Sequence, residues 1–541
     1  MFTDIAGAAL DRGWAFLHDE WLLLAVIAIA LLLGRRWSVR LPRLAMRDRP
    51  WVAAGIIAAV ALTWSTSIAL VRGVPLPLIH DDFACLLGGQ MFASGHASYP
   101  THPLWRHFET EHVLQVPSYA SKYPPGQSLL LALGIRLFGI ALAGSWLGAA
   151  AACMAIYWAM RAFMPPGWAF AGGLAAAVHP TMLDWAQSYH GGPMSACGGA
   201  LLFGAAYRMT ADTRARYGLV AGAGLALLAI SRPYEGVVLA VAVAIAFVVT
   251  ARKLPALAPV AAAASMVLLG AAGLAANDRA VTGSATTLPW NTYAAQYDAA
   301  PPFFWQKAPP SPVYRNAELR FLNDTIFLGQ YRRIHADGGL LSELDKKVDF
   351  ITHTAFGGEE WGIGAMLWPL FLVPLVMLPA VLRRDAGARF AAIVLALFAF
   401  APLSLTGWLL THYLAPAAAA ACVLLVILFR ALLETKRGAW LALAVAVLFV
   451  INAAATWHMW LTRDGGIEAT RRQLVAAAGP APQLFLVAPD VEGVLYNLPD
   501  IDHAAVVWAR DLGDNRELLH YFRNRHVWRV VKVKGELKLM K

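Results

Sequence analysis

An all-α polytopic membrane protein with a small α/β domain at its C-terminal end is the fold class that the sequence predicts, on three observations. Of the 541 residues, 59% are hydrophobic and 14% charged, against about 25% charge in an ordinary soluble chain; mean hydropathy is +0.54. Apolar stretches close to the roughly 20 residues that span a bilayer recur along most of the chain. Beyond Trp460 the pattern changes to short strand-like and helix-like runs broken by polar turns.

Twelve crossings are expected, at 17–34, 51–71, 142–161, 168–183, 193–208, 217–231, 235–250, 256–276, 362–382, 390–406, 409–430 and 438–457. Several are short, which flanking residues or local thinning of the bilayer accommodates. Arg35, Arg36, Arg40, Arg43, Arg47 and Arg49 crowd the first connection. With that loop cytoplasmic, alternation puts Arg208/Arg214/Arg216, Arg252/Lys253, Arg383/Arg384/Arg389 and Arg430/Lys436/Arg437 on the same side, as the positive-inside rule requires. Loops 72–141 and 277–361 and the tail then lie outside. The segment QSLLLALGIRLFG, 127–139, is apolar but short and carries Arg136. It is expected at the outer interface, because a full crossing would turn every later basic cluster outward.

In the tail, PQLFLVAPD, AAVVWARDL, NRELLHYF and HVWRVVKVKGELKLM read as strand, strand, helix and strand or hairpin. The expected division is a membrane domain over 1–460 and an outer α/β domain over 461–541. The net charge of +10 sits mostly at helix ends, so it reads as topology and implies no nucleic-acid partner. The four cysteines form no visible disulfide framework. The opening MFTDIAGAALDRGWAFLHDEW lacks a basic n-region and a small-residue cleavage site, so no cleaved signal peptide is expected. No P-loop, dinucleotide glycine motif or zinc-ligand spacing is present.

Chemistry concentrates in the outer loops. Asp81 and Asp82 follow the second crossing in PLPLIHDDFACLLGGQMFASG. Adjacent helical side chains point about 100° apart and cannot share one target. One carboxylate is therefore expected to work and the other to support it, unless both only start a helix, where acids favour the positive end of the dipole. The loop that follows holds His96, His102, His107, His112, Glu109, Glu111 and Lys122 among aromatic and proline residues and suits a binding platform; its histidines could ligate a metal, but their spacing matches no common site. The bridge HPTMLDWAQSYHGGPMSACGG places Asp184, Tyr189 and His190 where they could line a cavity opposite Asp81. Its glycines fit close helix packing better than a phosphate cradle. In SRPYEG, Arg232 either pairs with Glu235 as an interfacial anchor or meets a phosphate. Trp290, Tyr293, Tyr297, Phe303, Phe304 and Trp305 suit sugar stacking or, more simply, seating at the membrane surface.

Taken in order, the acidic pair in the first outer loop, SKYPPGQ opening the next apolar helix, SYHGG, RPYEG and DIDHAAVVWARDLG resemble the GT-C class of integral membrane glycosyltransferases. The resemblance runs from about residue 50 onward. It is to the bacterial branch related to protein O-mannosyltransferases and the lipid A aminoarabinose transferase.

It implies a GT-C fold in the bacterial inner membrane, with the active site and tail facing the periplasm. It also implies an inverting transfer of sugar from a polyprenyl-phosphate donor to an envelope glycan, lipid or protein acceptor. By position Asp81 matches the family's leading acid and would be the general base, with Asp82 orienting it or holding the acceptor. Lys122 falls where relatives carry a basic residue before a proline-started helix, and with Tyr123 would meet the donor phosphate. The pair His412–Tyr413 precedes a proline, as in related enzymes, and could add phosphate contacts. Asp184 lies near a second family acid; Glu109, Tyr189 and His190 are further cavity or acceptor candidates. No cofactor is required, although the Asp pair leaves Mg or Mn open. Two other readings stay open, a secondary transporter and a polymerase or ligase using pyrophosphate-linked glycans.

Overall fold

The computed structural model describes residues 49–251, 256–356, 368–435, 438–480 and 482–540. The expected crossing at 17–34, nearly all of the arginine-rich loop behind it, and the first part of the crossing at 362–382 lie outside the described residues. The chain runs from α1 (Pro50–Arg72) to α2 (His80–Ala93), then through a small antiparallel sheet of β1 (Tyr99–Pro100), β2 (Val113–Leu114) and β3 (Ser118–Ser121), ordered β1-β3-β2. A helical body follows: α3 (Pro125–Phe138), α4 (Leu142–Met160), α5 (Pro166–Ala177), α6 (Pro180–Gln187), α7 (Pro193–Met209), α8 (Ala215–Ser231), α9 (Pro233–Thr250) and α10 (Leu257–Thr282). The long second loop carries α11 (Pro289–Tyr297), α12 (Ala317–Arg320), α13 (Leu328–His335) and α14 (Gly339–Phe356). The chain then forms α15 (Leu378–Arg384), α16 (Ala386–Phe398), α17 (Phe400–Ser404), α18 (Ala418–Leu433) and α19 (Gly438–Thr462).

Seven of these helices begin on proline, whose fixed φ and missing N–H suit the first helical position. Seven stretches among the described residues are long and apolar enough to cross a bilayer, with α3 and α8 as shorter apolar helices. The count of twelve crossings is therefore not confirmed. The expected crossing at 168–183 is broken. Pro180 holds His179 in extended backbone, ψ 134°, so α5 stops at Ala177 and α6 restarts beyond it. The expected crossing at 409–430 likewise opens in two 3-10 turns around Pro416 before α18 begins. The segment predicted at the outer interface is helix α3, whose 14 residues span only about 21 Å.

Helix α4 is the centre of the bundle, 78% of its apolar window being buried inside the protein, whereas α10 is 6% buried and lies at the periphery. Helices α1, α3, α5 and α7 pack around α4. Close approach depends on small residues: a Cβ on Gly144 would sit 1.7 Å from the Leu130 carbonyl oxygen, and one on Gly199 1.8 Å from that of Pro416.

After α19, helix α20 (Gly466–Ala478) leads into β4 (Gln483–Val487), β5 (Val506–Arg510), α21 (Arg516–Tyr521) and the hairpin β6 (His526–Val533) and β7 (Glu536–Met540). The sheet order is β5-β4-β6-β7, with β4 parallel to both neighbours. The predicted strand, strand, helix and hairpin are all present. Two connections bind this tail to the rest. Phe83, Leu87 and Met91 of α2 share one buried core with Leu484, Leu486, Val507, Leu518 and Phe522 of the tail. Arg510, with its side chain 2% exposed, pairs with the equally buried Glu318 of the second loop, and Glu318 also accepts the Gly493 N–H.

Replacing one partner leaves the other charge buried and alone, which costs about 3–5 kcal/mol. Arg510→Met is expected to lower the melting temperature strongly, and Arg510→Met/Glu318→Leu to recover most of the loss. A single variant that melts like wild type would show that the pair does not hold the tail in place.

Candidate active site

Both aspartates start α2, and the structure gives them different work. Asp82 is buried. Its Oδ2 accepts the Leu78 N–H at 2.9 Å and the Ile79 N–H at 3.4 Å; its Oδ1 accepts the Tyr189 N–H at 2.9 Å and contacts His190 Nδ1 at 2.8 Å. Every lone pair of the carboxylate is committed. Asp81, one position earlier, keeps 21% of its side chain exposed. Tyr123 donates its hydroxyl to Oδ1 at 2.5 Å, and His112 Nε2 stands 3.6 Å from Oδ2.

His112 lies between two carboxylates, because its Nδ1 is 3.2 Å from Glu111 Oε1. Its backbone is in the left-handed region, φ 65°, which costs a non-glycine residue about 1 kcal/mol or more. Two bonds hold it there: the His112 N–H donates to the Tyr293 hydroxyl at 3.1 Å, and the His112 carbonyl accepts the Lys122 N–H at 3.2 Å.

Burial pushes the Asp81 carboxyl up, but the His112 charge and hydrogen bond, then His190 and the Tyr123 hydroxyl, outweigh it and hold Asp81 well below the usual carboxylate range. Burial and Lys122 pull His112 down, yet Asp81 and Glu111 raise it above its ordinary value. The same His112 and the Lys122 charge hold Glu111, against its burial, at about 2.

Lys122 is buried, 4% exposed. Its ammonium lies 4.2 Å from the Trp290 ring centre, 4.4 Å from that of Tyr293 and 5.6 Å from that of Tyr123. Among the described residues no carboxylate comes within ion-pair distance of it. Aromatic faces stabilise a cation without consuming its N–H donors. Trp290 and Tyr293 thus wall the lysine, a use the sequence did not reveal.

On the far wall, His190 is bonded to Asp82 and its ring centre is 4.6 Å from that of His412, which stacks on Tyr413 at 4.9 Å. The Arg232 guanidinium lies 4.4 Å over Tyr413 and 3.4 Å from Glu235 Oε1. Asp184 Oδ2 accepts the Thr411 hydroxyl at 3.2 Å, beside this group. Burial, then Asp82, its hydrogen bond, Asp81 and Asp184 act on His190, with a net rise. The two glycines after it, Gly191 and Gly192, have φ 116° and 125°. They form the turn that presents Tyr189 and His190, whereas Gly198 and Gly199 serve helix packing.

Asp81, Asp82, Lys122, Tyr123, Asp184, Tyr189, His190, Arg232, His412 and Tyr413 therefore belong to one connected set of contacts drawn from five stretches of chain. Glu109 does not join them: it accepts the Tyr297 hydroxyl at 3.0 Å and its carbonyl holds Asn316, neither of them a partner of Asp81. Three further residues join the set: His112 and Glu111, which the sequence marked only as part of the platform loop, and Tyr496, which carried no sequence signal. Tyr496 comes from the tail, bonds His80 Nδ1 beside Asp81 and stacks on Phe83 at 4.2 Å. Among the described residues, no three His, Cys, Asp or Glu side chains gather as a metal-holding set.

No family model and no curated protein matches the chain. Among solved structures it is similar to the oligosaccharyltransferase AglB from Archaeoglobus fulgidus in complex with an inhibitory peptide and a dolichol-phosphate. Identity is 12% and TM-score 0.47, over 82% of this chain and 62% of that one, so the chain spans less than two thirds of that enzyme's length. It is also similar to ArnT from Cupriavidus metallidurans bound to undecaprenyl phosphate, at 13% identity and TM-score 0.49, over 90% of this chain and 87% of that one. A second AglB structure is a complex with Zn and sulfate, at 13% identity and TM-score 0.47, over 80% of this chain and 60% of that one. Likeness at this level assigns neither substrate nor residue roles.

The Asp81–His112 pair sets a pH dependence. The depressed Asp81 contributes stability that is present above the unfolded value of 3.8 and is lost as pH falls. The raised His112 contributes stability that is complete below 6.5 and is lost as pH rises through its folded value. The gap in melting temperature between wild type and His112→Gln is therefore expected to narrow as pH rises above 6.5. A gap that stays constant with pH would refute a charged His112.

Proposed function

We propose that the chain is an inverting glycosyltransferase of the inner membrane. It moves a sugar from a polyprenyl-phosphate donor to a hydroxyl of an envelope glycan, lipid or protein on the periplasmic face. One observation carries the reading: a partly exposed carboxylate, Asp81, is bonded by Tyr123, the chain neighbour of a buried ammonium, Lys122, that has no carboxylate within ion-pair distance among the described residues. A base next to an unspent cation is what hydroxyl attack with phosphate departure requires.

In this mechanism the C1–O bond to the phosphate breaks while the acceptor oxygen bonds C1 from the opposite face. Lys122 takes up the charge that grows on the leaving phosphate. Asp81 is held too acidic to abstract a proton from a free hydroxyl. It accepts a hydrogen bond from the acceptor and takes the proton late, once the attacking oxygen carries positive charge and is itself strongly acidic. Tyr123 and His112 fix the orientation of the carboxylate. Asp82 acts as a positioning residue, because its oxygens are fully used by the backbone and His190. His412 and Tyr413 shape the wall on which Arg232 rests.

The pyrophosphate-linked alternative would lean on Arg232 more than on Lys122. Arg232 already pairs with Glu235 at 3.4 Å, which favours the monophosphate donor. Against a secondary transporter stand the two long outer loops and a sequence without a detectable inverted or parallel repeat. No step here is routed through Mg or Mn; full activity in excess chelator is the expected result.

Asp81→Asn keeps the shape but loses the proton acceptor, so transfer from a polyprenyl-phosphate sugar is expected to fall about 10²–10⁴-fold with donor binding retained. Lys122→Ala is expected to weaken donor binding, read by native mass spectrometry, by tenfold or more, roughly the worth of one charged hydrogen bond. Undiminished transfer by a folded Asp81→Asn protein would overturn the assignment.

A further inference from the structure

A cavity lies on the other side of the Tyr189 turn. It has a volume of about 340 Å³, opens where α1 and α19 end and is lined by Arg72, Tyr189, Trp460, Arg463, Asp464 and Arg472, among others. Its size falls within the roughly 300–1,000 Å³ of small-molecule sites. Arg72 is the last residue of α1, and Arg463 follows the last residue of α19. Both helices are long and apolar enough to span the bilayer, so the cavity stands at the depth of the headgroups.

The charges do not balance. Arg72 gives one N–H to the Trp460 carbonyl at 2.6 Å, and Arg463 lies 4.8 Å over the Trp460 ring. Neither has an ion pair among the described residues, and neither does Asp464. Arg472 shares Glu468 at 3.3 Å. Asp464, on the same cavity, can offset only one of the two guanidinium groups, which leaves the cavity with a net positive charge. A second observation agrees: the Trp460 indole Nε1, on a residue 3% exposed, is buried without an acceptor. A buried orphan donor calls for a missing partner.

We propose that this cavity binds the phosphate of an anionic membrane lipid, its headgroup between Arg72 and Arg463 and its chains along α1 and α19. Guanidinium groups match phosphate oxygens in geometry and charge, and basic pockets at helix ends collect anionic headgroups. Leu76 and Leu78 supply an apolar side to the cavity, which suits a lipid better than a free ion. The site is separate from the donor site and stands independently of the proposed transferase. Tyr189 is the element common to both, because its hydroxyl bonds the Pro75 carbonyl on the cavity side and its N–H bonds Asp82.

The test is native mass spectrometry of the full purified chain, with phosphatidylglycerol and phosphatidylcholine of equal acyl chains. One phosphatidylglycerol is expected to be retained over phosphatidylcholine by roughly tenfold, the worth of a charged hydrogen bond. Arg72→Gln/Arg463→Gln should abolish the preference, and Arg72→Lys/Arg463→Lys, which keeps both charges, should retain part of it. Lys122→Ala should lose the polyprenyl-phosphate sugar yet keep the phosphatidylglycerol. Equal retention of the two lipids by wild type, or an undiminished preference in the folded glutamine variant, would overturn the proposal. Displacement by millimolar inorganic phosphate would overturn a lipid as the source of the anion.

Discussion

The buried carboxylate of Asp82 is the constraint on which the rest of the site depends. It gathers backbone donors from the end of the 73–79 connection and from the Tyr189 turn, and it fixes the His190 ring. A buried carboxylate is costly unless each oxygen is satisfied, so these segments can occupy only the arrangement that satisfies it. Once that is set, the helical turn of about 100° per residue carries Asp81 away from the turn and toward Tyr123 and His112. Side-by-side aspartates thus avoid competing for one partner.

Around this pair aromatic rings stand against the cations. Lys122 is walled by Trp290 and Tyr293 with no carboxylate within ion-pair distance among the described residues, whereas Arg232 meets both Tyr413 and Glu235, and His190 both His412 and Asp82. A carboxylate partner would hold Lys122 more firmly but would also neutralise it. Ring faces supply part of the attraction and leave the donors free for a ligand. The carboxylates of Glu111 and Asp81 are bridged by the His112 ring, which restrains the negative charge beside them.

The tail is structurally part of the same device. Phe83 lies on the helix that begins with Asp81 and Asp82, and it is sandwiched into a core built largely from tail residues. Tyr496 reaches back to His80. The helix that carries both aspartates is therefore clamped between the bundle, through the Asp82 network, and the C-terminal sheet. This explains how a 14-residue helix with four glycine or alanine positions can hold its N-terminus steady.

What the sequence alone determined was what local physics writes into it: the apolar spans, the proline starts, the strands and hairpin of the tail, and the polar residues too costly to place near a bilayer without use. Those residues, Asp81, Lys122, Tyr123, His190, Arg232, His412 and Tyr413, stood out because the chain around them is apolar or aromatic. Only the tertiary structure decided which aspartate is bonded shut and which stays open, that Glu109 turns toward Tyr297, and that the expected crossing at 168–183 breaks at Pro180. It also decided that His112 bridges Asp81 and Glu111 and that Tyr496 closes the wall from some 400 residues away. The reason is physical: hydropathy and propensity act between near neighbours, whereas the partner of a buried polar group is selected by desolvation among all groups the fold brings close.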